Sequence, residues 1–107
     1  MSATLSPTVS VLVSAAALHV FLAQHPEAAE LPIEWSFRAR DGITGYMPAG
    51  TPDVAQAADL IAGLLGAEVA GNEHTSKDGS RTLFRYFTTG LNGVPFFFSG
   101  HAAVGGA

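Results

Sequence analysis

Three consecutive phenylalanines, Phe96-Phe97-Phe98, sit inside the stretch GVPFFFSG of a 107-residue chain. A β-strand sends alternate side chains to opposite faces, so Phe97 must point away from Phe96 and Phe98. A sheet holding this segment therefore carries aromatic rings on both faces.

Which side chains join each face depends on the preceding turn. If Asn92-Gly93 alone makes it, Phe87, Thr89 and Leu91 share a face with Val94, Phe96 and Phe98, and Arg85 falls on that face too. If Leu91-Asn92-Gly93 makes a three-residue turn, the register slips by one. Phe84, Tyr86 and Thr88 then join Phe96 and Phe98, while Arg81, Leu83, Arg85 and Phe87 turn outward. Charge placement favours the second pattern; the Asn-Gly pair favours the first. Under both, Phe97 lies on the face opposite Phe96 and Phe98. Pro95 occupies a non-hydrogen-bonded pair under both, with its missing N–H directed outward. The last strand is therefore expected at the sheet edge.

The rest of the chain reads as helix, hairpin, helix and three strands. A helix is predicted over 7–24, capped by Ser6, opened by Pro7 and ended by His25-Pro26. Val11, Ala15, Leu18 and Leu22 form one stripe with Leu12 and His19 beside it, but Val9, Val13, Val20 and Phe21 lie elsewhere around the cylinder. A helix apolar on most sides needs more than one cover, and a second subunit is the expected one. Residues 28–32 read as a loop.

Next comes a hairpin in which Ile33, Trp35, Phe37 and Ala39 alternate with Glu34, Ser36, Arg38 and Arg40. A two-residue turn at Asp41-Gly42 would set Phe37 opposite Tyr46. A second helix is expected from Pro52 to Leu65, capped by Thr51 and stopped by Gly66. Its stripe of Val54, Ala57, Ala58, Ile61, Leu64 and Leu65 is one-sided. Strands follow at about 67–74, 81–90 and 94–99, the first two joined by Lys77-Asp78-Gly79.

This order predicts one α+β domain over 1–107, with residues 1–5 and 102–107 flexible. It is a two-layer fold: an antiparallel sheet of about five strands with two helices packed on one face. The expected partner surface comprises Val13, Val20, Phe21, Phe87 and Phe97, and the expected assembly is a homodimer, with another protein as an alternative partner.

The chain is 48% hydrophobic and 13% charged, so it can build a core. It has no cysteine, which removes thiolate chemistry and cysteine-bound zinc. Its uncharged stretch from Ser6 to Gln24 contains SAAA, which resembles a cleavage site. No Lys or Arg precedes Arg38, however, so the basic region of a signal peptide is missing. Ser10, Ser14 and His19 interrupt it as a membrane span. A cytoplasmic protein without a membrane partner is expected.

No nucleophile motif, phosphate loop or zinc spacing is found around His19, His25, His74 and His101. The expectation is a non-enzymatic interaction protein with no cofactor, metal or catalytic residue. The net charge of −4 disfavours nucleic acid, yet Arg38, Arg40, Arg81 and Arg85 could form a basic patch beside aromatics, so a nucleic-acid-associated regulator is the alternative. Small-ligand binding in an aromatic pocket is a third reading.

The segments ELPIEWSF, DGITG, LLGAEV and FTTGLNGVPFFFSGHA together resemble small uncharacterised proteins encoded by actinobacteria and by their phages and plasmids. The resemblance covers most of residues 18–101 and rests on turns, caps and strand cores. It implies an α+β fold and no known activity, and it transfers no catalytic residue. The run Phe96-Phe97-Phe98 departs from the mixed polar–apolar alternation that the resemblance implies.

Overall fold

A computed structural model describes residues 6–48 and 51–104; the expectation of flexible ends at 1–5 and 105–107 lies outside the described residues. Helix α1 (Pro7–Gln24) begins and ends at its predicted signals. The Ser6 hydroxyl oxygen accepts a hydrogen bond from the Val9 amide at 3.2 Å, and the His25 amide donates to the Phe21 carbonyl at 3.0 Å. One more helical turn, α2 (Pro26–Ala29), follows where a loop was expected, and it buries Ala28 between α1 and the next long helix.

That helix, α3 (Val54–Leu65), starts later than Thr51 and Pro52 suggest. The residue before it, Asp53, is left-handed (φ 60°) and makes no side-chain cap, while the Thr51 amide bonds the Pro48 carbonyl in a turn. Gly66 stops α3 as expected, at φ 70°, with the Ala67 amide donating to the Ala62 carbonyl at 2.8 Å.

Five strands form one sheet: β1 (Glu34–Arg38), β2 (Gly42–Met47), β3 (Ala70–Thr75), β4 (Arg81–Leu91) and β5 (Val94–Val104), in spatial order β1-β2-β5-β4-β3. Both long helices pack on one face of it. The α+β class is as predicted, but the sheet is mixed, because β5 runs parallel to β2 from Ile43↔Phe96 to Met47↔Gly100.

The last strand is thus central, correcting the expectation of an edge. Pro95 does lie in the pair next to Leu91↔Val94, opposite Gly90, with its nitrogen turned from β4. That nitrogen faces β2 only at its first residue, where pairing has yet to begin, so a proline is tolerated there. β5 also continues to Val104, paired with Arg81, which corrects the expected fraying from residue 102.

Both hairpin registers turn on glycine. Asn92 (φ 50°) and Gly93 (φ 82°) make the two-residue turn, so Phe87 pairs with Phe98 and Thr89 with Phe96. Arg85 does fall on the helix face, but its side chain runs over Gly71 of β3; a Cβ there would stand 2.7 Å from Arg85 Nη1. In the first hairpin the pairs are Phe37↔Ile43 and Arg38↔Gly42, three residues off the predicted register. Gly42 (φ 73°) is needed where β2 meets β5, since a Cβ would collide with the Pro95 carbonyl oxygen. Tyr46 consequently pairs with Glu34 and turns away from Trp35 and Phe37.

The core lies between sheet and helices. Phe96, Phe98, Ile43, Met47 and Phe87 meet Leu18 and Phe21 from α1 and Val54, Ala58 and Ile61 from α3. Phe87 stacks on Phe96 and Phe98, with ring centroids 6.1 and 5.4 Å apart. Burying each such ring stabilises by roughly 1.5–3 kcal/mol.

Candidate interaction surfaces

The register decides which side chains reach the surface. Phe21 and Phe87, expected at an interface, are core residues with 4% and 2% exposure. Phe21 packs edge-on against Phe96, and the two-residue turn points Phe87 inward; neither can touch a partner. Val13 and Val20 stand out from α1 at 45% and 46% exposure, and Phe97 is half-buried on the far side of the sheet. The five residues therefore do not form one surface.

The sheet face away from the helices carries an aromatic field. Along β5, Phe97, Ser99 and His101 point to it, beside Thr44 and Tyr46 of β2 and Thr88, Tyr86 and Phe84 of β4. Phe84 stacks on Tyr86 at 5.2 Å and lies 4.9 Å from the His101 ring, which Tyr46 approaches edge-on at 6.1 Å. The rings shelter Ser99, which is buried although no helix covers it. At one end of this face, Arg40, Asp41, Thr44, Thr88, Pro95 and Phe97 line an open cleft of about 460 Å³. A guanidinium, a carboxylate and hydroxyls surround an apolar floor, a composition able to hold a small polar molecule.

The outward side of α1 is apolar. Among the described residues the exposed large apolar side chains are Val9, Leu12, Val13, Val20 and Tyr46, four of them on this helix, and Leu12 is 62% exposed. Two of its polar residues, Ser10 and Ser14, face inward, while Thr8, His19 and Gln24 are exposed. Ser14 is buried, its hydroxyl donating to the Ser10 carbonyl at 3.0 Å, and both serines line a crevice of about 170 Å³ beside Arg40 and the β4–β5 turn. Beside the helix, Pro7, Val11, Leu12 and Phe37 line a groove of about 490 Å³ along β1. Sequence reasoning set Leu12 next to the buried stripe. The spacing of Val9, Leu12, Val13, Ala16 and Val20 was the signal that a second stripe exists.

The four arginines are dispersed. Arg38 lies level with the start of β5, while Arg85 pairs with Gly100 and Arg81 with Val104, about 17 and 30 Å further along at strand rise. Arg81 is also ion-paired with Glu73, whose Oε1 accepts from Nε and meets Nη2. Arg85 is on the helix-facing side of the sheet and Arg38 on the other, so no continuous basic surface joins them. The histidines are equally separate: His19 is exposed on α1, His74 on β3, His25 lies against Phe21 at 5.0 Å, and His101 sits among the aromatic rings. Among the described residues no three His, Cys, Asp or Glu side chains come together as metal ligands would.

No family model, curated protein or solved structure matches the chain.

Proposed function

We propose that this is a non-enzymatic interaction protein that works through protein–protein contacts, as a homodimer. The observation that carries the reading is the apolar, uncharged side of α1, where Val9, Leu12, Val13 and Val20 meet solvent in a single chain. Exposed apolar surface that is contiguous, rather than scattered, marks an interaction site on a small protein. The aromatic field around Phe97 is a second surface of the same character. The dispersed arginines give the nucleic-acid alternative no comparable support.

Sedimentation equilibrium over a concentration range at two salt concentrations tests the proposal. A dimer that high salt leaves intact is expected, because apolar contact is not screened. A monomer at every concentration would overturn it. Binding to DNA or RNA that falls steeply with salt would favour the alternative.

A further inference from the structure

The sheet face away from the helices is not built to meet water. A sheet packed on one side ordinarily alternates apolar inward with polar outward. Here the outward positions of β2, β4 and β5 hold no Asp, Glu, Lys or Arg, and Tyr46, Phe84, Tyr86 and Phe97 stand among them. Among the strands, charge on this face is confined to β1, where Glu34 and Arg38 are both outward and exposed.

Strand pairing sorts the face into rows. Ser36, Thr44, Phe97 and Thr88 form one. Next to it, towards the end of β5, come Glu34, Tyr46, Ser99 and Tyr86; on its other side come Arg38, Gly42, Pro95 and Gly90. A ridge of rings therefore stands on one side of the Phe97 row, continued by Phe84 and His101. On the other side lies the open cleft of about 460 Å³ over Pro95.

We infer that a second copy packs on this face, sheet to sheet, about a two-fold axis that crosses the strands along the Phe97 row. This rests on the self-association reading and gives it a surface; the outward strip of α1, on the opposite side of the molecule, stays free. The rotation lays the ridge of each copy into the cleft of the other. Tyr46 then lies over Gly42 of the second copy, Tyr86 over Gly90 and Ser99 over Pro95, so a large side chain meets a small one where the face is highest. Glu34 lies over Arg38 of the second copy, and the symmetry makes that charge pair twice.

Other arrangements match less. An axis along β5 would set Tyr46 over Tyr86 and Glu34 over Ala70. An axis one row nearer the end of β5 would set Glu34 over Glu34. A nucleic acid needs cations along its track, and this face has them only at the end that bears Arg38 and Arg40. A small molecule held in the cleft would leave the ridge in water.

From Gly93 to His101 the paired rows run about 30 Å at strand rise, and four strands span about 19 Å. That is about 550 Å² per copy in flat projection, to which the relief of the rings adds. Stable interfaces begin at about 600 Å² per partner. A concentration-dependent dimer is expected, its strength set by the rings and its register by the charges.

Reversing the charges tests the axis. Glu34→Arg should weaken the dimer at least fivefold by sedimentation at low salt, and adding Arg38→Glu to it should restore the parent affinity. Phe97→Glu should weaken it at least tenfold, with the circular dichroism spectrum unchanged. The chain has no cysteine, so single thiols can report proximity. Thr88→Cys lies on the axis row and should be joined to its counterpart by a short bis-maleimide. His74→Cys, exposed on the same face, lies about 20 Å from the axis and about 40 Å from its counterpart, and should react at least tenfold more slowly. A double charge variant no tighter than Glu34→Arg, or Thr88→Cys joined no faster than His74→Cys, overturns the two-fold pairing. A parent dimer that survives Phe97→Glu but is dissociated by Leu12→Glu overturns the sheet contact while self-association stands. A parent that is monomeric at every concentration overturns both.

Discussion

Replacing Gly100 by alanine reads the sheet order directly. Gly100 lies on β5 between Met47 of β2 and Arg85 of β4, on the face that α3 covers. A Cβ added there would stand 2.6 Å from Val54 Cγ1 and 3.3 Å from Met47 Cβ. Carbon atoms pack at about 3.5–4.0 Å, so the start of α3 would have to lift by about an ångström. Neither neighbour has room, because Val54 is 1% exposed and Met47 fully buried. Overpacking of this kind costs about 1–3 kcal/mol. The reduced freedom of the unfolded chain returns about 0.4–1 kcal/mol, so the clash wins and the net loss is about 1–2 kcal/mol.

Urea unfolding followed by Trp35 fluorescence and by circular dichroism would measure this loss. Val54→Ala in the same chain removes the obstructing methyl. The double variant should then be about 1 kcal/mol more stable than the sum of the single effects. A neutral Gly100→Ala, or strict additivity, would refute the packing of α3 on β5. Were β5 an edge strand clear of the helices, the new methyl group would meet open space.

Three further outcomes are expected. Asn92→Ala should cost about 1–2 kcal/mol in the same assay because Asn92 is left-handed, while Asn92→Gly should be near neutral. Gly45→Ala should destabilise by about 1–3 kcal/mol and shift Trp35 emission, since its Cβ would stand 2.7 Å from Trp35 Cζ3. The Ser80 hydroxyl and amide, at 2.7 and 2.9 Å, hold the exposed Asp78 carboxyl below its ordinary value of 3.8. A depressed carboxylate supports the β3–β4 turn above pH 3.8 and ceases to as pH falls through its lowered value, so the Ser80 amide resonance should titrate with a midpoint below 3.8 and stop doing so in Asp78→Asn.

The candidate surfaces were only partly legible in the chain. Val13 and Val20 could be read as surplus because a stripe through Val11, Ala15, Leu18 and Leu22 already supplies a side for the core, although the structure centres that side on Ser14, Leu18 and Phe21 and leaves Val11, Ala15 and Leu22 half-buried. Phe97 could be read as outward because strand alternation requires it. Phe21 could not be excluded in advance, since its place on the helix borders both stripes and only its contact with Phe96 decides. Phe87 depended on a one-residue register, and the charge of Arg85 pointed to the wrong one. A long side chain can leave a sheet face sideways, here across Gly71, so a charge on a strand does not identify the exposed face.

Local chemistry, by itself, determined where elements begin and turn: Ser6 and Pro7 open α1, Gly66 ends α3, and Asn92-Gly93 joins β4 to β5, because caps and left-handed turns are satisfied within a few residues. It also determined the α+β class, through the order of helical and alternating segments. Only the tertiary structure decided that β5 lies in the middle, parallel to β2. That pairing joins residues some fifty positions apart, as Ile43 and Phe96 are, and nothing near either one encodes it. The same long-range contact explains Gly42 and the slipped first hairpin. A strand rich in phenylalanine on both faces gains most from a central place, where neighbours on each side shelter its rings.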